Sequence, residues 1–296
     1  MSVDEYQIAQ NWSVNEQSRR ETGGGEGVEI RENKPFTGMS FLDGKYTSGQ
    51  YTYKIYKVET KLPKFLRYDL SFDRKINTNI ADFLKQYPSF KLQSFSIFRT
   101  IFRTVMGKGG LDLHEEAWNA YPYCKTVITN PNYMKDSFKV VIESLHLPDN
   151  GKSENVLGKD KKELDITVID LLDVIKEKSN MTGAVDGNPV EYVSKRANRG
   201  PLDPNKWLDT TDPIMTCYKT VSIHCKWGIG LQNTLENFLM DKYRSTFLAF
   251  HQQIWCWTDE WFGMSMEELR ELEDRTKEEL KKKILEAEKQ GTTNFD

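Results

Sequence analysis

Alternation along the stretch Gln50–Thr60 is the sequence feature that most constrains the fold. The sequence QYTYKIYKVET is rich in β-branched and aromatic residues, which favour strands. A period of two residues places Thr52 and Lys54 on one face and the intervening tyrosines and Ile55 on the other. The stretch therefore predicts a β-strand with two polar side chains on a common face.

Other segments extend this pattern and set the fold class. Further strands are predicted near Lys125–Asn130, Phe138–Leu147, Asp165–Leu171 and Cys217–Cys225. Apolar residues at helical spacing predict helices near Leu231–Ile254 and Ser265–Lys289. Ser265 and Glu268 form a capping-box pair at the start of the last helix. Strands followed by long helices indicate an α+β fold.

Composition excludes several classes of protein. The 296 residues carry a net charge of −3 and a mean hydropathy of −0.64, so a membrane-spanning protein is not expected. Aromatic residues make up 12% of the chain, which argues against disorder. The slight acidity argues against nucleic acid as the main partner. The beginning, MSVDEYQIAQ, has no signal-peptide pattern, and a cytoplasmic protein is predicted.

Cysteines and glycines give no sign of a metal or nucleotide site. The four cysteines include no CxxC pair, and the four histidines are scattered, so reduced thiols and no metal site are predicted. The glycine-rich run at 22–29, TGGGEGVE, does not match a phosphate-binding loop, and a plain loop is predicted there. Neither an internal repeat nor a linker divides the chain, which predicts a single domain over residues 1–296.

Residues 68–103 differ from the rest of the sequence. They contain six of the 15 phenylalanines and no glycine, tryptophan or cysteine. The segment follows Arg67 and ends at Arg103, where arginine codons are compatible with a splice donor and acceptor. Two interpretations remain open: an intron translated in frame, or a genuine surface insertion.

With that segment set aside, several long motifs resemble one family. They are TGGGEGVE, QYTYKIY, HEEAWNAYPYCKTVITN, NRGPL, GLQNTLENF and QIWCWTDEWF. Together they resemble the class I phosphatidylinositol transfer proteins over nearly all of the remaining chain. The resemblance implies a START-like fold, in which a curved antiparallel sheet flanked by helices surrounds a cavity for one phospholipid. A C-terminal helix closes that cavity. The family's short first strand, which precedes the stretch beginning here at Ser2, is missing from this sequence.

The resemblance also implies two groups of lipid-binding residues. The inositol ring is expected to contact Thr52, Lys54, Asn119 and Glu273. The phosphate is expected to contact Gln10, Thr126, Ser144 and Lys219, with Ser144 at a position where the family usually has threonine. Lys219 shares a predicted strand face with apolar residues, where an ammonium group without an anionic partner is costly. For Lys219 the alternative is a side chain that reaches solvent at the strand end.

Three further residues match family positions. Trp227 corresponds to a membrane-docking tryptophan, although the family's second tryptophan is absent from CKWGIGLQN. Cys124 matches a cysteine of the lipid cavity, and Ser194 matches a candidate phosphorylation site. The expected partners are phosphatidylinositol, phosphatidylcholine and, transiently, membrane surfaces. A monomer is expected, without catalysis and without a cofactor other than the lipid it carries.

Three alternatives remain. The first is a carrier of another lipid, such as phosphatidic acid. The second is an inactive isoform, because the first strand is missing and the insertion lies in a region that resembles the family's lipid-exchange gate. The third is an enzyme that uses His114, Glu115 and Cys124 as an acid, base and nucleophile set.

Overall fold

A computed structural model of the protein describes residues 1–23, 27–57, 112–172, 186–226 and 232–290. The prediction for residues 68–103 therefore lies outside the described residues. The six strands are β1 (Gly27–Phe41), β2 (Tyr46–Lys57), β3 (Leu113–Ala120), β4 (Tyr123–Thr129), β5 (Phe138–Leu147) and β6 (Thr216–Cys225). The helices are α1 (Val3–Glu21), α2 (Trp207–Thr210), α3 (Gln232–Cys256), α4 (Thr258–Trp261) and α5 (Met266–Gln290). The architecture is α+β and START-like, with a C-terminal helix, as predicted.

The strands form one open, curved antiparallel sheet in the order β1-β2-β3-β4-β5-β6. Each strand pairs with its neighbour in sequence among those described. The inner face, defined here as the face that carries Lys54, is covered on its β5–β6 side by α3. There Val140 and Ile223 pack with Leu239 and Tyr243 of that helix. The outer face carries a separate core around Phe41, Tyr123 and Leu145.

Three helices close over the sheet. α5 packs against α1 and β1, and α1 also contacts α3 and α4. Tyr6 and Ala9 of α1 form a buried cluster with three large side chains around the junction of α3 and α4, which are Ile254, Trp257 and Trp261. At the start of α5, the predicted capping box is confirmed: Ser265 Oγ accepts from the backbone N–H of Glu268, whose carboxylate accepts from Ser265 N.

One predicted strand is wrong. Residues 165–171 have no strand pairing, and Ile166 and Val168 are 76% and 86% exposed. Apolar composition favoured a strand there, but a strand also needs a partner for its backbone hydrogen bonds. The remaining predicted strands and both long helices are confirmed within a few residues of their predicted ends.

The glycine-rich run joins α1 to β1. Of this run, residues 24–26 lie outside the described ranges. Gly27 begins β1 with φ of +131°, and a Cβ there would lie 2.4 Å from Thr22 Oγ1. Thr22 uses that oxygen to accept from Val28 N at 3.0 Å, so the strand start is held tightly against the helix end. A side chain at position 27 would displace this contact.

Candidate functional site

The polar residues singled out from the sequence lie on the inner face of the sheet. Strand register defines three adjacent rows across it, each running from β1 toward β6. Row one contains Lys54, Glu115, Ile128, Val140 and Ile223. Row two contains Asn33, Thr52, Ala117, Thr126, Ile142 and Val221. Row three contains Gln50, Asn119, Cys124, Ser144 and Lys219. Neighbouring strands are about 4.8 Å apart, so residues that follow one another in a row are adjacent. The sheet thus brings six of the eight predicted lipid contacts onto one surface.

Lys219 and Ser144 are neighbours at the β5–β6 end of row three. Lys219 Nζ donates to Ser144 Oγ over 3.0 Å and lies 5.2 Å from the centre of the Phe247 ring on α3. Within the described ranges no carboxylate forms an ion pair with Lys219. Lys219 is half-buried, and a partly desolvated ammonium group without a carboxylate partner gains from an anion, so this position is suited to a negatively charged ligand.

Lys54 lies at the opposite side of the sheet, on β2. It is 8% exposed, and its Nζ lies 3.5 Å from Glu115 Oε1 on β3. Thr52 is two residues away on the same face and is half-buried. Asn119 accepts a weak hydrogen bond from Cys124 Sγ at 3.4 Å.

Glu273 of α5 joins this polar group from the helix layer. Its Oε2 accepts from Asn33 Nδ2 at 3.0 Å and from Arg270 Nη1 at 2.5 Å. Gln50 Nε2 in turn donates to Asn33 Oδ1 at 2.6 Å. A register shift between Ile30 and Glu32 in β1 brings Asn33 opposite Thr52, and so onto the inner face.

The Oε1 atom of Glu273 is free to accept. No described residue donates a hydrogen bond to it, whereas Oε2 is fully engaged. Glu273 is 8% exposed. A carboxylate oxygen that has no donor among the described residues is suited to a ligand hydroxyl.

Gln10 belongs to α1, whose first turns approach the β5–β6 end of the rows through Tyr6. Its Oε1 is buried without a hydrogen-bond partner in the described structure. One turn earlier, the Tyr6 ring contacts His146 in a tilted arrangement, with 4.9 Å between ring centroids. His146 lies two residues beyond Ser144 on β5, on the same face. Gln10 therefore projects from the helix face that approaches the Lys219 end of row three.

Two histidines, the buried His146 and the half-buried His251, lie near Lys219 and were not singled out from the sequence. Burial, followed by the nearby Lys219 charge, lowers the pKa of His146 to about 3 and that of His251 to about 4. His251 Nδ1 lies 2.6 Å from the Phe247 carbonyl and donates to it, so Nε2 accepts from Tyr6 OH at 2.8 Å. Two neutral imidazoles leave Lys219 as the cation of this region. Nothing in the sequence around His146 or His251 indicated that the two side chains would lie near each other in the fold.

Cys124 is desolvated but not activated. Burial raises the pKa of its thiol to about 12, although Lys219 acts in the opposite direction. The side chain is only partly covered. His114 lies on the outer face, where Nδ1 is 2.5 Å from Tyr53 OH. His114 is therefore on the other side of the sheet from Glu115 and Cys124, and the three residues do not form one site.

Ser194 and Trp227 lie apart from these rows. Ser194 is fully buried, and its Oγ donates to Asp259 Oδ1 at 2.5 Å. The backbone N–H groups of Lys195 and Arg196 also donate to Asp259. A kinase has no access to Ser194 in this conformation, so its phosphorylation stays a prediction. Trp227 lies outside the described residues, and its role stays a prediction too.

Within the described ranges, no cluster of three or more histidine, cysteine, aspartate or glutamate side chains is placed to hold a metal ion. No helix among them is long and apolar enough to cross a membrane.

Comparison with known proteins identifies the family. The sequence profile for "Phosphatidylinositol transfer protein" matches residues 1–75 and 85–278. Phosphatidylinositol transfer protein 1 of Dictyostelium discoideum is 38% identical over 288 residues, which cover 96% of this chain and 92% of the relative. The human phosphatidylinositol transfer protein beta isoform is 37% identical over 305 residues, covering 100% of this chain and 95% of the relative. The chain therefore belongs to the phosphatidylinositol transfer protein family.

Proposed function

We propose that this protein binds one phosphatidylinositol or phosphatidylcholine molecule on the inner face of its sheet and exchanges it between membranes. The observation that carries the proposal is the arrangement of Lys219, Ser144 and Thr126 at one end of the rows. Lys54, Thr52 and Asn119 stand at the other end. An ammonium group that has no carboxylate partner and lies beside two hydroxyl groups favours a phosphate as its ligand. Ring hydroxyls suit mixed donors and acceptors such as Lys54 and Glu273.

Two side chains on or over the inner face, Cys124 and Tyr243, have the properties expected beside an interior binding site. Burial raises the pKa of both Cys124 and Tyr243 to about 12, and Glu115 adds to the effect at Tyr243. Both side chains are nevertheless only partly covered. Groups that are desolvated but incompletely packed are expected beside an interior space. Acyl chains placed there would gain about 0.8 kcal/mol for each buried methylene group.

The two lipids differ at the head group alone, and this divides the site into two parts. Gln10, Thr126, Ser144 and Lys219 would bind the phosphate that both lipids carry. Thr52, Lys54, Asn119 and Glu273 would bind the inositol ring, and phosphatidylcholine would not need them. The protein would act as a stoichiometric carrier, with the lipid as cargo, no catalysis and no cofactor.

Membrane contact completes the proposed cycle. The protein would work as a cytoplasmic monomer that docks transiently through Trp227 and opens to exchange lipid, exposing Cys124. Residues 68–103 would form an insertion, or a translated intron, within a single domain. Deletion of the segment should leave lipid binding intact if the inner face alone forms the site.

Transfer between vesicles tests this function. Donor vesicles would carry labelled phosphatidylinositol, phosphatidylcholine or phosphatidic acid, and unlabelled acceptors would be separated after incubation. Transfer of the first two, in proportion to protein concentration, is expected. Transfer of phosphatidic acid alone, or of none of the three, would overturn the proposal.

A further inference from the structure

Glu115 lies between the lysine of the proposed inositol site and a half-buried tyrosine, Tyr56. Register pairs Glu115 on β3 directly with Lys54 on β2. Its Oε1 is 3.5 Å from Lys54 Nζ, and its Oε2 accepts from Tyr56 OH at 2.9 Å. The Lys54 and Glu115 side chains are 11% and 15% exposed. Each carboxylate oxygen thus has a different partner, which fixes the plane of the group.

Tyr56 is held in its donating form. Desolvation, with the Glu115 carboxylate as the next cause, raises the pKa of its phenol well above the ordinary value. The hydroxyl therefore keeps its proton and donates it to Glu115 Oε2. Tyr243 of α3 also lies near this carboxylate, which contributes to its raised pKa.

The separation of 3.5 Å leaves Lys54 able to bind a ligand. A charge-assisted hydrogen bond between an ammonium and a carboxylate is typically about 2.8 Å long, so the present contact is an attraction at longer range. The ammonium has three N–H donors, and no described residue accepts a short hydrogen bond from them. Its four-carbon stem is flexible, so a fixed neighbouring charge is needed to hold the donors toward one point.

We propose that Glu115, itself held by Tyr56, is a positioning and specificity-determining residue for Lys54. The inference rests on the proposed head-group site and deepens it. The fixed carboxylate holds the ammonium where it donates to an inositol hydroxyl. Choline has no hydroxyl acceptor on its cationic group, so phosphatidylcholine gains nothing from this positioning. Glu115 and Tyr56 therefore favour phosphatidylinositol over phosphatidylcholine.

The same two strands supply a matched control on the outer face. Glu116, the next residue on β3, accepts from Tyr51 OH at 2.9 Å. This pair repeats the carboxylate–tyrosine geometry but faces away from Lys54. Variants of Glu116 and Tyr51 therefore reproduce the chemical change and its effect on the sheet without touching the proposed site.

The experiment measures the ratio of the two lipids that the full chain carries. Each protein is equilibrated with vesicles of equal phosphatidylinositol and phosphatidylcholine content, repurified, and analysed by native mass spectrometry. Glu115→Asp keeps the charge but withdraws the carboxylate from Lys54, and the ratio should fall about tenfold. Tyr56→Phe frees the carboxylate to rotate, and the ratio should fall about threefold. Glu116→Asp and Tyr51→Phe should leave it unchanged.

The outcomes separate this inference from the proposed function. A wild-type chain that carries neither lipid overturns the proposed function, and this inference with it. A wild-type chain that carries both, with an unchanged ratio in Glu115→Asp and Tyr56→Phe, overturns the positioning role alone. Equal falls in the inner-face and outer-face variants would show a general effect on the sheet and overturn it as well. Should Glu115→Asp fail to fold, the ratio in Tyr56→Phe decides.

Discussion

Glu273 on the last helix accepts a hydrogen bond from Asn33 on the first strand, with 3.0 Å between Oε2 and Nδ2. This contact joins residues that are 240 positions apart and places a carboxylate over the inner face of the sheet. Arg270 and Asn33 donate to the same oxygen, and Oε1 has no donor in the described part of the chain. The C-terminal helix thereby contributes directly to the proposed head-group site.

Glu273→Gln should lower phosphatidylinositol loading about tenfold and leave phosphatidylcholine loading unchanged, because the amide replaces an ionised acceptor of ring hydroxyls. Loading from mixed vesicles, read by native mass spectrometry, measures both. Glu278→Gln on the exposed side of the same helix is the control. An equal fall in the loading of both lipids would contradict the assignment of Glu273 to the inositol ring.

Lys54→Ala should abolish phosphatidylinositol transfer and spare phosphatidylcholine transfer, since choline lipids need no contact with the inositol-binding group. Vesicle transfer assays with each labelled lipid give the comparison. Lys139→Ala, which removes an exposed lysine from the outer face of β5, is the matched control. Equal loss of both activities would count against a role specific to the inositol ring.

Lys219→Met should lower the loading of both lipids to a similar extent, because the phosphate is common to them. The free energy of unfolding should not fall, since a cation without a carboxylate partner is replaced by an apolar side chain of similar length. Denaturation curves and lipid loading are measured on the same preparation. Ser144→Thr keeps the hydroxyl beside Lys219 and should retain loading of both. A variant that still binds both lipids normally would remove Lys219 from the phosphate site.

His146 should make the fold sensitive to mild acid. Its pKa in the folded protein is lowered to about 3 by burial, whereas the unfolded chain takes up this proton near pH 6.5. Between these values the unfolded state holds more protons, so the free energy of unfolding falls as pH falls through this window. From pH 7 to pH 5 the contribution is about 2 kcal/mol.

His146→Gln removes that contribution. Denaturant unfolding at pH 7 and pH 5 should show that the loss of stability between them is about 2 kcal/mol smaller in the variant than in the wild type. Other titrating groups are common to both proteins and cancel in this difference. An identical pH dependence in the two proteins would show that His146 is not held neutral by the fold.

Cys124 should report the opening of the protein at membranes. Its thiol pKa of about 12 predicts slow reaction with N-ethylmaleimide at pH 7.5, because the thiolate is scarce. Addition of phosphatidylcholine vesicles should accelerate the labelling of Cys124, as mapped by peptide mass spectrometry. Cys225, which is 3% exposed and whose pKa is raised to about 11, serves as the internal control. Equal acceleration at both cysteines would indicate general unfolding.

Short sequence patterns predicted the strands and helix ends that are specified by residues close together in the sequence. Alternation placed Thr52 and Lys54 on one strand face, and the pair Ser265 and Glu268 marked the start of α5. The elements α1, β1 and β3 were not predicted, and β1 begins at Gly27, inside the run predicted as a plain loop. In β3 two adjacent glutamates depress strand propensity. In the structure each glutamate accepts from a tyrosine of β2, on opposite faces. Such compensation is visible only once the strands are paired.

The residues of the candidate site were likewise predicted only in part from the sequence. Family resemblance supplied the eight proposed lipid contacts, and six of these residues lie in adjacent rows by strand register. Asn33 was missed because its position on the inner face depends on a register shift in β1, and such a shift cannot be predicted from composition. His146 and His251 were missed because they are far apart in sequence and meet around Tyr6 only through the packing of α1 and α3.

The identity of the bound lipid tests the central claim most directly. The 296-residue chain, purified from cells, would be examined by native mass spectrometry, with its lipid extracted and identified. The account predicts one phosphatidylinositol or phosphatidylcholine molecule for each chain. A folded protein that carries no lipid, and that takes up neither from vesicles, would contradict it.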